Sequence, residues 1–305
     1  MPTIIQTNKL TKSYGRNRGI IDLTFDIEEG EVFGFLGPNG AGKTTTMRVL
    51  MGLLHANSGT ATIGGLDCWK QSAEVKKLVG YLPGEFAFDP SLRGAQIIEY
   101  LAHLRGGVDQ AYMRSLVERL GLDPSKRFRE YSHGNKQKLG LVQAFMHKPR
   151  LLVVDEPTNA LDPLNQQEFY KIVHEVQAEG RTVFLSSHIL PEVERTCDRV
   201  AIIREGRLVK IDHVSSLKNI HQHDVEISFP DSASVDWFKD VAGVTKVVPG
   251  ADTHTLQLNV QSELTEIIRI AGEHHATNIG TREPSLEEVF LRFYESDQKS
   301  PAHAI

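Results

Sequence analysis

Short apolar runs rich in β-branched residues recur along the chain and predict strands. The predicted strands lie at residues 4–6, 20–25, 32–36, 151–154, 182–185 and 200–203. Helical patterns separate the later runs: one opens at a glycine-rich turn after residues 32–36, and another spans residues 165–178. Because strands that alternate with helices form parallel sheets covered by those helices, the pattern predicts an α/β domain with a largely parallel sheet.

Strand character is lost between residues 85 and 148. Apolar residues recur there at helical spacing, at Ile97, Ile98, Leu101 and Leu104 and again at Leu116, Val117 and Leu120. The pattern predicts a helical insertion within the first domain.

A new alternation begins after about residue 215, so we expect one domain over residues 1–215 and a smaller one over residues 216–305. The predicted elements are strand 225–229, helix 234–241, strands 245–248 and 256–260, helix 264–274 and strand 277–280. This βαββαβ order is typical of a ferredoxin-like α+β domain. A last helix is predicted after Pro284, with Ser285 and Glu288 spaced as a capping box.

The composition of the chain indicates which classes of binding partner to expect. The 305 residues carry a net charge of -5, with acidic and basic side chains interspersed, so nucleic acid is not an expected partner. Cys68 and Cys197 are far apart, which suggests neither a disulfide framework nor a zinc site. Two histidine pairs, His221 with His223 and His274 with His275, lack further ligands at metal-site spacing. No apolar run reaches the length of a membrane span, and we expect a soluble cytoplasmic chain.

The strongest chemical motif follows the strand at 32–36 and opens a helix. It comprises Gly37, Pro38, Asn39, Gly40, Ala41, Gly42, Lys43 and Thr44, with Thr45 next in the helix. Glycines let backbone N–H groups surround phosphates, Lys43 reaches the β- and γ-phosphates, and Thr44 ligates Mg²⁺. The alternative is an ordinary glycine-rich turn, but the strand, the loop and the helix are in the register that an ATP-binding loop requires.

Two carboxylates follow the buried strand at 151–154. Ligands of parallel sheets bind at the carboxyl ends of strands, where Asp155 would hold Mg²⁺ and Glu156 would polarise the water that attacks the γ-phosphate. The alternative is a pair of acids that ends a strand.

These motifs, together with Ser132-His133-Gly134-Asn135, Asp162 and His188, resemble the ABC ATPase family over residues 3–215. The resemblance implies the α/β P-loop fold of that family, a mixed sheet with a helical insertion at about residues 85–148. The resemblance implies that Ser132 and Gly134 begin a helix that one subunit presents to the γ-phosphate bound on the other. The family's usual leucine, middle glycine and glutamine are replaced here by Tyr131, His133 and Asn135.

Three further roles follow from the resemblance. Asp162 would sense the other subunit across a dimer, with a helix cap before Pro163 as a compatible reading. His188 would contact the γ-phosphate and steady the attacking water, unless it is a core histidine. Tyr14 would stack on adenine, unless it packs within its own sheet.

One segment departs from the family. Residues 79–85 lack the usual glutamine after a strand, and Gly84 has no side chain with which to ligate magnesium or water. Glu85 could take that role, or the segment could act only as a hinge.

The family resemblance implies an ATP-hydrolysing subunit that closes head to tail, as a homodimer or with a similar ATPase, and drives a separate transmembrane permease. It would lie peripherally on the cytoplasmic face of the membrane and contact the permease near residues 85–93. The C-terminal section, which ends with residues 284–290, resembles that of the ATPase subunits of bacterial drug-resistance and related exporters. The second domain would stabilise the dimer or sense a ligand. The alternatives are a soluble ABC ATPase acting on ribosomes or DNA and a P-loop protein that uses hydrolysis as a timer.

Overall fold

The computed structural model describes residues 2–15, 17–218, 223–250, 252–260 and 264–282. The chain divides into two compact units, Met1–Asp212 and His213–Ile305. Within the described residues, no helix combines the length and the apolar character needed to cross a membrane.

The first unit contains two sheets. In chain order its strands are β1 (Thr3–Tyr14), β2 (Asn17–Glu28), β3 (Val32–Leu36), β4 (Ser58–Ile63), β5 (Leu66–Asp67), β6 (Val79–Leu82), β7 (Leu151–Asp155), β8 (Thr182–Ser187), β9 (Arg199–Arg204) and β10 (Arg207–His213). Its helices are α1 (Lys43–Leu50), α2 (Ser72–Leu78), α3 (Gly94–Leu104), α4 (Gln110–Arg119), α5 (His133–Phe145), α6 (Pro163–Ala178) and α7 (Leu190–Thr196). A short helix α8 (Val214–Lys218) follows the boundary between the units.

The larger sheet has the strand order β10-β9-β3-β8-β7-β6, and its β3, β6, β7, β8 and β9 pair in parallel. Every residue of β3, β7 and β8 is buried, which matches their continuous apolar sequences. Because these three strands run in the same direction, the residues that follow them gather at one edge of the sheet.

The first two predicted strands lie elsewhere. β1 and β2 belong to an antiparallel sheet of order β2-β1-β4-β5 and lie outside the largely parallel sheet that the apolar pattern indicates. Parallel and antiparallel strands together give the mixed arrangement that the family resemblance implies. Apolar residues alternate along β2, where Leu23, Phe25 and Ile27 are buried, as in a sheet that covers a core on one face only. Along β1 the register shifts against β2 interrupt this alternation. Phe25 of β2 packs on Phe33, Phe35 and Phe184 with ring centroids 5.7–6.1 Å away, which fastens the two sheets together.

Helices α3, α4 and α5 form the predicted insertion. Asp109 caps α4 by accepting hydrogen bonds from the backbone N–H groups of Ala111 and Tyr112. Arg119 of α4 pairs with Glu168 and Glu175 of α6, so the insertion is tied to the core of the unit by charged contacts as well as by packing.

In the part of the second unit that the structure describes after α8, an antiparallel sheet packs against a helix. Its elements are β11 (His223–Ser228), β12 (Val244–Pro249), β13 (Thr255–Val260), α9 (Thr265–Glu273) and β14 (Asn278–Arg282), in the strand order β12-β13-β11-β14. The helix predicted at 234–241 is wrong, because only Val235–Trp237 form a single 3₁₀ turn. Successive i to i+3 hydrogen bonds and the full burial of Phe238 hold this segment in tight turns, which aromatic and β-branched residues tolerate better than a regular helix.

His274 stacks flat on Trp237, with ring centroids 3.9 Å apart. The helix predicted after Pro284, with Ser285 and Glu288, lies outside the described residues, as does His221.

Candidate functional site

The glycine-rich loop joins β3 to α1 and folds as a concave turn. The backbone N–H of Gly37 donates to Ser187 O at 3.2 Å, which fixes the start of the loop to the end of β8. Gly40 and Gly42 have φ of 80° and 110°, in the region that favours glycine, and a Cβ at Gly42 would lie 2.7 Å from the Ile20 side chain. The loop therefore needs these glycines for its shape.

A groove of about 310 Å³ lies over this loop. It is lined by Gly19, Pro38, Asn39, Gly40, Gly42, Lys43, Thr44, Thr45 and Glu156. Thr44 and Thr45 are half-buried in the first turn of α1, whereas Ala41 is buried beneath the loop. The predicted phosphate-binding residues and Glu156 therefore meet around one space.

Lys43 points into the centre of the loop. Only 5% of the residue is exposed, and its Nζ donates to Gly37 O at 2.5 Å and to Pro38 O at 3.2 Å. The same Nζ lies 3.1 Å from Glu156 Oε1. A positive charge is thus held inside the curve of backbone N–H groups, as recognition of a polyphosphate requires.

Asp155 ends β7 and is completely buried. Ser186 Oγ donates to Asp155 Oδ1 at 2.5 Å, whereas the buried Oδ2 has no hydrogen-bond partner in the described part of the chain. A buried carboxylate oxygen without a partner is costly, and together with the Thr44 hydroxyl it is a donor that a hard cation such as Mg²⁺ accepts. The residues present therefore fit a magnesium ion.

Glu156 follows with a left-handed backbone, φ 50°, which is uncommon for a glutamate. Its N–H donates to Ser186 Oγ at 3.0 Å, and its Oε2 lies 2.8 Å from Nδ1 of the partly exposed His188. One carboxylate therefore contacts the ammonium of Lys43 on one side and the imidazole on the other. This arrangement orients an acid–base group toward the groove.

Ser132 and Gly134 are not among the described residues that line the groove of their own chain. Ser132 is the exposed N-cap of α5, and its Oγ accepts from the Asn135 N–H at 3.3 Å. A Cβ at Gly134 would lie 2.5 Å from Ala160 O, so a larger residue does not fit here without movement. The buried Tyr131 hydroxyl donates to Asp123 O at 2.7 Å, so Tyr131 is a packing residue.

Asp162 caps α6 and is followed by Pro163. Its Oδ1 accepts from the Asn165 N–H at 3.0 Å, and this hydrogen bond lowers the pKa of the carboxyl. The side chain satisfies the cap that the sequence predicts, and sensing of another subunit stays a prediction.

Tyr14 ends β1, is 42% exposed, and has Lys12 Nζ at 5.7 Å from its ring centroid. It is not among the described residues that line the groove, so adenine stacking stays a prediction. Gly84 lies beside Asp155, since a Cβ there would be 3.1 Å from Asp155 Oδ2, whereas Glu85 is exposed.

Two residues at the site were missed from the sequence. Ser186 bridges Asp155 and the backbone of Glu156, and its only signal is a polar residue at the end of an apolar strand. Gln137 is buried in α5 and donates through Nε2 to Glu156 O at 3.1 Å and Pro157 O at 3.0 Å. The signal that could have identified Gln137 is a side-chain amide on the buried face of a predicted helix.

A family profile described as "ABC transporter" matches residues 20–159, and one described as "AAA domain, putative AbiEii toxin, Type IV TA system" matches residues 126–193. Curated relatives include "Bacitracin transport ATP-binding protein BcrA" of Bacillus licheniformis, 36% identical over 76% of this chain and 76% of the relative. "Daunorubicin resistance ATP-binding protein DrrA2" of Streptomyces coeruleorubidus is 34% identical over 94% of each chain.

Solved structures agree in fold. "Structure of ATP binding subunit of ABC transporter" has a TM-score of 0.65 at 28% identity and covers 71% of this chain and 92% of that one. The dimeric post-hydrolysis state of the ATP-binding cassette MJ0796 bound to ADP and Pi has a TM-score of 0.63 at 18% identity, over 69% of this chain and 99% of that one. The phosphate loop, the paired carboxylates and the full-length relatives agree: this chain belongs to the ATP-binding subunits of ABC transporters, a family of ATPases.

Proposed function

We propose that this chain hydrolyses Mg²⁺·ATP in a head-to-tail dimer, and that closing and reopening of the dimer drives export through a separate membrane permease. The observation that carries the proposal is the Glu156 carboxylate, which contacts both Lys43 and His188 beside the phosphate loop. An acid–base group, a buried cation and a loop of backbone donors are the parts that phosphoryl transfer needs.

Binding of the nucleotide rests on the loop. Lys43 and backbone N–H groups of the phosphate loop would hold the β- and γ-phosphates, and Tyr14 would cover the adenine. Thr44 and Asp155 would hold Mg²⁺, which would neutralise charge on the phosphates. The unpartnered Asp155 Oδ2 supports this assignment.

Hydrolysis rests on Glu156 and His188. Glu156 would accept a proton from the attacking water, and His188 would orient the carboxylate and contact the γ-phosphate. The Glu156 N–H donates a hydrogen bond to Ser186 Oγ, which restrains the backbone of Glu156. A restrained backbone supports the proposal that Glu156 is a positioned base.

Dimer closure rests on Ser132 and Gly134. Neither residue is among the described residues that line the groove of their own chain, which supports a role at a nucleotide bound to another subunit. The exposed N-terminus of α5 would then point its N–H groups at the γ-phosphate, with Asp162 facing the same junction. Two identical chains, or this chain with a similar ATPase, satisfy this arrangement.

Coupling to a permease rests on a groove between the insertion and the core of the first unit. It has a volume of about 720 Å³ and includes Leu53, Tyr81, Leu104 and Arg105 among its lining residues. Leu53 and Leu104 are 52% and 65% exposed, which is apolar surface suited to a helix of a membrane partner. The segment at 85–93 would form the nearby contact, and the chain would lie on the cytoplasmic face of the membrane.

The names of the relatives favour export, since they refer to bacitracin transport and to daunorubicin resistance. The second unit would stabilise the dimer or regulate it. Action on ribosomes or DNA is the alternative, and the interspersed charge of the chain weighs against it.

The test uses Glu156→Gln with ATP. We expect this variant to bind ATP and accumulate a dimer in light scattering, because it removes the base but leaves Lys43 and Ser132 in place. Lys43→Ala is the control that should bind no ATP and stay monomeric.

A tagged Glu156→Gln protein purified from its native membranes should carry a polytopic membrane protein. ATP binding without a dimer would refute the closure, and recovery of ribosomal or DNA-bound partners alone would refute transport.

A further inference from the structure

Glu192 is a buried acid that none of the roles above uses. It lies in α7, four residues after His188, and only 1% of it is exposed. Glutamates are almost never fully buried unless they have a partner, because removing the charge from water is costly. Its burial beside the site therefore requires a compensating contact.

One compensating contact is the hydroxyl of Ser187. Ser187 Oγ donates to Glu192 Oε2 at 2.5 Å and accepts a hydrogen bond from the Ile189 N–H at 2.9 Å. The other acceptor within reach, Ile189 O, is 3.4 Å away, so the single hydroxyl hydrogen goes to Glu192. A hydrogen bond to a carboxylate of this length is among the stronger ones in proteins.

Ser187 in turn stands between two parts of the site. Its carbonyl accepts the N–H of Gly37, the first residue of the phosphate loop. Its neighbour along the chain is His188, whose Nδ1 lies 2.8 Å from Glu156 Oε2. Whatever holds the Ser187 side chain therefore restrains the backbone on which His188 is carried.

We infer that Glu192 is a positioning residue: through Ser187 it holds the backbone of His188 so that the imidazole meets Glu156. The inference rests on the proposed hydrolysis of ATP and adds a residue to it. Glu192 itself touches neither the groove nor the Glu156 carboxylate.

The charge of Glu192 is set by its surroundings. The pKa of this carboxyl is raised to about 7, chiefly by burial; the hydroxyls of Ser187 and Thr158 and the charge of His188 act to lower it, and the charge of Glu156 acts to raise it. Tyr170 of α6 and Cys197 at the end of α7 are the other titratable groups that interact with it. Arg195 interacts with Tyr170 from the exposed side of α7.

The raised pKa of Glu192 predicts the direction in which turnover changes with pH. Above about pH 7 Glu192 is ionised and accepts the Ser187 hydrogen bond strongly, whereas below it the protonated carboxyl is a weaker acceptor. The hold on His188 therefore loosens as the pH falls, and turnover should fall with it. The informative quantity is the difference in pH dependence between the wild-type chain and a variant that has no carboxyl at position 192.

The experiment compares Glu192→Gln, Ser187→Ala and their double variant with the wild-type full-length chain. Glu118→Gln, an exposed glutamate on α4, is the matched control. The measurements are KM and kcat for Mg²⁺·ATP from pH 6 to 8.5, and the ¹⁵N side-chain signal of His188, which a His188→Gln variant identifies.

We expect Glu192→Gln to lower kcat about 5- to 10-fold at pH 8 with KM within about twofold, since ATP binding rests on other residues. The fall in kcat toward low pH should be smaller in Glu192→Gln than in the wild-type chain, because this variant has no carboxyl at position 192 to protonate. Ser187→Ala should give a similar loss, and the double variant should be no worse than the more damaged single variant, because both break one link. The His188 signal should shift in both, and Glu118→Gln should match the wild-type chain.

Three results would each overturn the inference. They are losses in kcat that multiply in the double variant, a fall in kcat toward low pH that is the same in Glu192→Gln as in the wild-type chain, and a His188 signal that does not shift. A variant that fails to fold is detected by loss of ATP binding, and the His188 signal in Ser187→Ala then decides. If Lys43→Ala hydrolyses ATP as fast as the wild-type chain, the proposed function fails. If Lys43→Ala is inactive while Glu192→Gln is normal, only this inference fails.

Discussion

The carboxylate of Glu156 is shared between two basic side chains. Lys43 Nζ and His188 Nδ1 approach its two oxygens at 3.1 Å and 2.8 Å, respectively. A phosphate that binds in the groove brings negative charge to the same lysine, so it competes with Glu156 for that contact. We therefore expect binding of ATP to free one oxygen of Glu156 while His188 still holds the other, which is the geometry that the proposed general base needs.

Glu192 predicts a pH dependence of stability. Its pKa is raised from 4.5 to about 7, so the folded chain binds this proton more tightly than the unfolded chain does. The folded state is therefore progressively penalised as the pH rises from about 4.5 to about 7, by about 3 kcal/mol in full. Glu192→Gln removes this penalty, so its free energy of unfolding relative to wild type should rise by about 2–3 kcal/mol between pH 5 and pH 8. Urea denaturation at both pH values measures it, and a difference that is constant with pH would contradict the raised pKa.

At the scale of elements, helix α5 joins two parts of the site within one chain. Its N-terminus carries Ser132 and Gly134, and one turn later Gln137 holds the carbonyls of Glu156 and Pro157. We therefore expect a movement of the backbone after Glu156 to be passed to α5, the helix that in the proposed dimer would meet the nucleotide of the other subunit.

Gln137→Met tests this link. The change keeps the length of the side chain but leaves two backbone carbonyls without their donor, which costs about 1–3 kcal/mol of stability. We expect ATP affinity to stay within about twofold and kcat to fall about 10-fold, as measured by nucleotide binding and phosphate release. Gln110→Met, at the exposed start of α4, is the control. An unchanged kcat would mean that the link is structural only.

Gly134→Ala tests the approach of α5 to the segment after Glu156. The added Cβ would lie 2.5 Å from Ala160 O, so α5 or that segment must shift. We expect ATP-dependent dimerisation of the Glu156→Gln chain to weaken about 10-fold or more, with ATP binding to the single chain retained, as followed by light scattering. Gly272→Ala in α9 has no atom within 4 Å of its added Cβ and should leave dimerisation unchanged. Equal behaviour of the two variants would rule out a role for this contact.

The sequence was sufficient for elements whose signal is local. The phosphate loop, β7 and its two acids, and the helical insertion follow from spacing within a few residues. Membership of β1 and β2 in a separate sheet could not be predicted, because their pattern is compatible with either sheet and pairing with β4 is non-local. Ser186 and Gln137 were missed for the same reason, since their hydrogen bonds span 31 and 19 residues. The 3₁₀ turn at Val235–Trp237 is set by the burial of Phe238, which only the folded unit provides.

At the scale of the whole molecule, the proposed coupling separates hydrolysis from transport. The groove that includes Leu53 and Leu104 is distinct from the groove over the phosphate loop, and they share no lining residue. A substitution in the groove that includes Leu53 and Leu104 should therefore leave the groove over the phosphate loop intact.

Leu104→Glu tests this separation. The side chain is 65% exposed, so the substitution should change the stability by less than about 0.5 kcal/mol. We expect ATPase activity of the isolated chain to stay within about twofold, whereas recovery of the membrane partner with the tagged protein should fall at least about 5-fold, because a charge enters an apolar contact. Ile268→Glu, at a 53% exposed position of α9, is the matched control. Undiminished recovery with Leu104→Glu would place the permease on another surface.

The two units each bury a hydrophobic core built from their own residues. One cluster draws on side chains between Ile4 and Ile211 and the other on side chains between Val225 and Ala276. A recombination event near residue 215 would therefore cut neither core, and a gene could gain, lose or exchange its second unit while the motor stays folded. We expect chimaeras joined at this point between relatives to be viable, so that the second unit can diversify faster than the ATPase it accompanies.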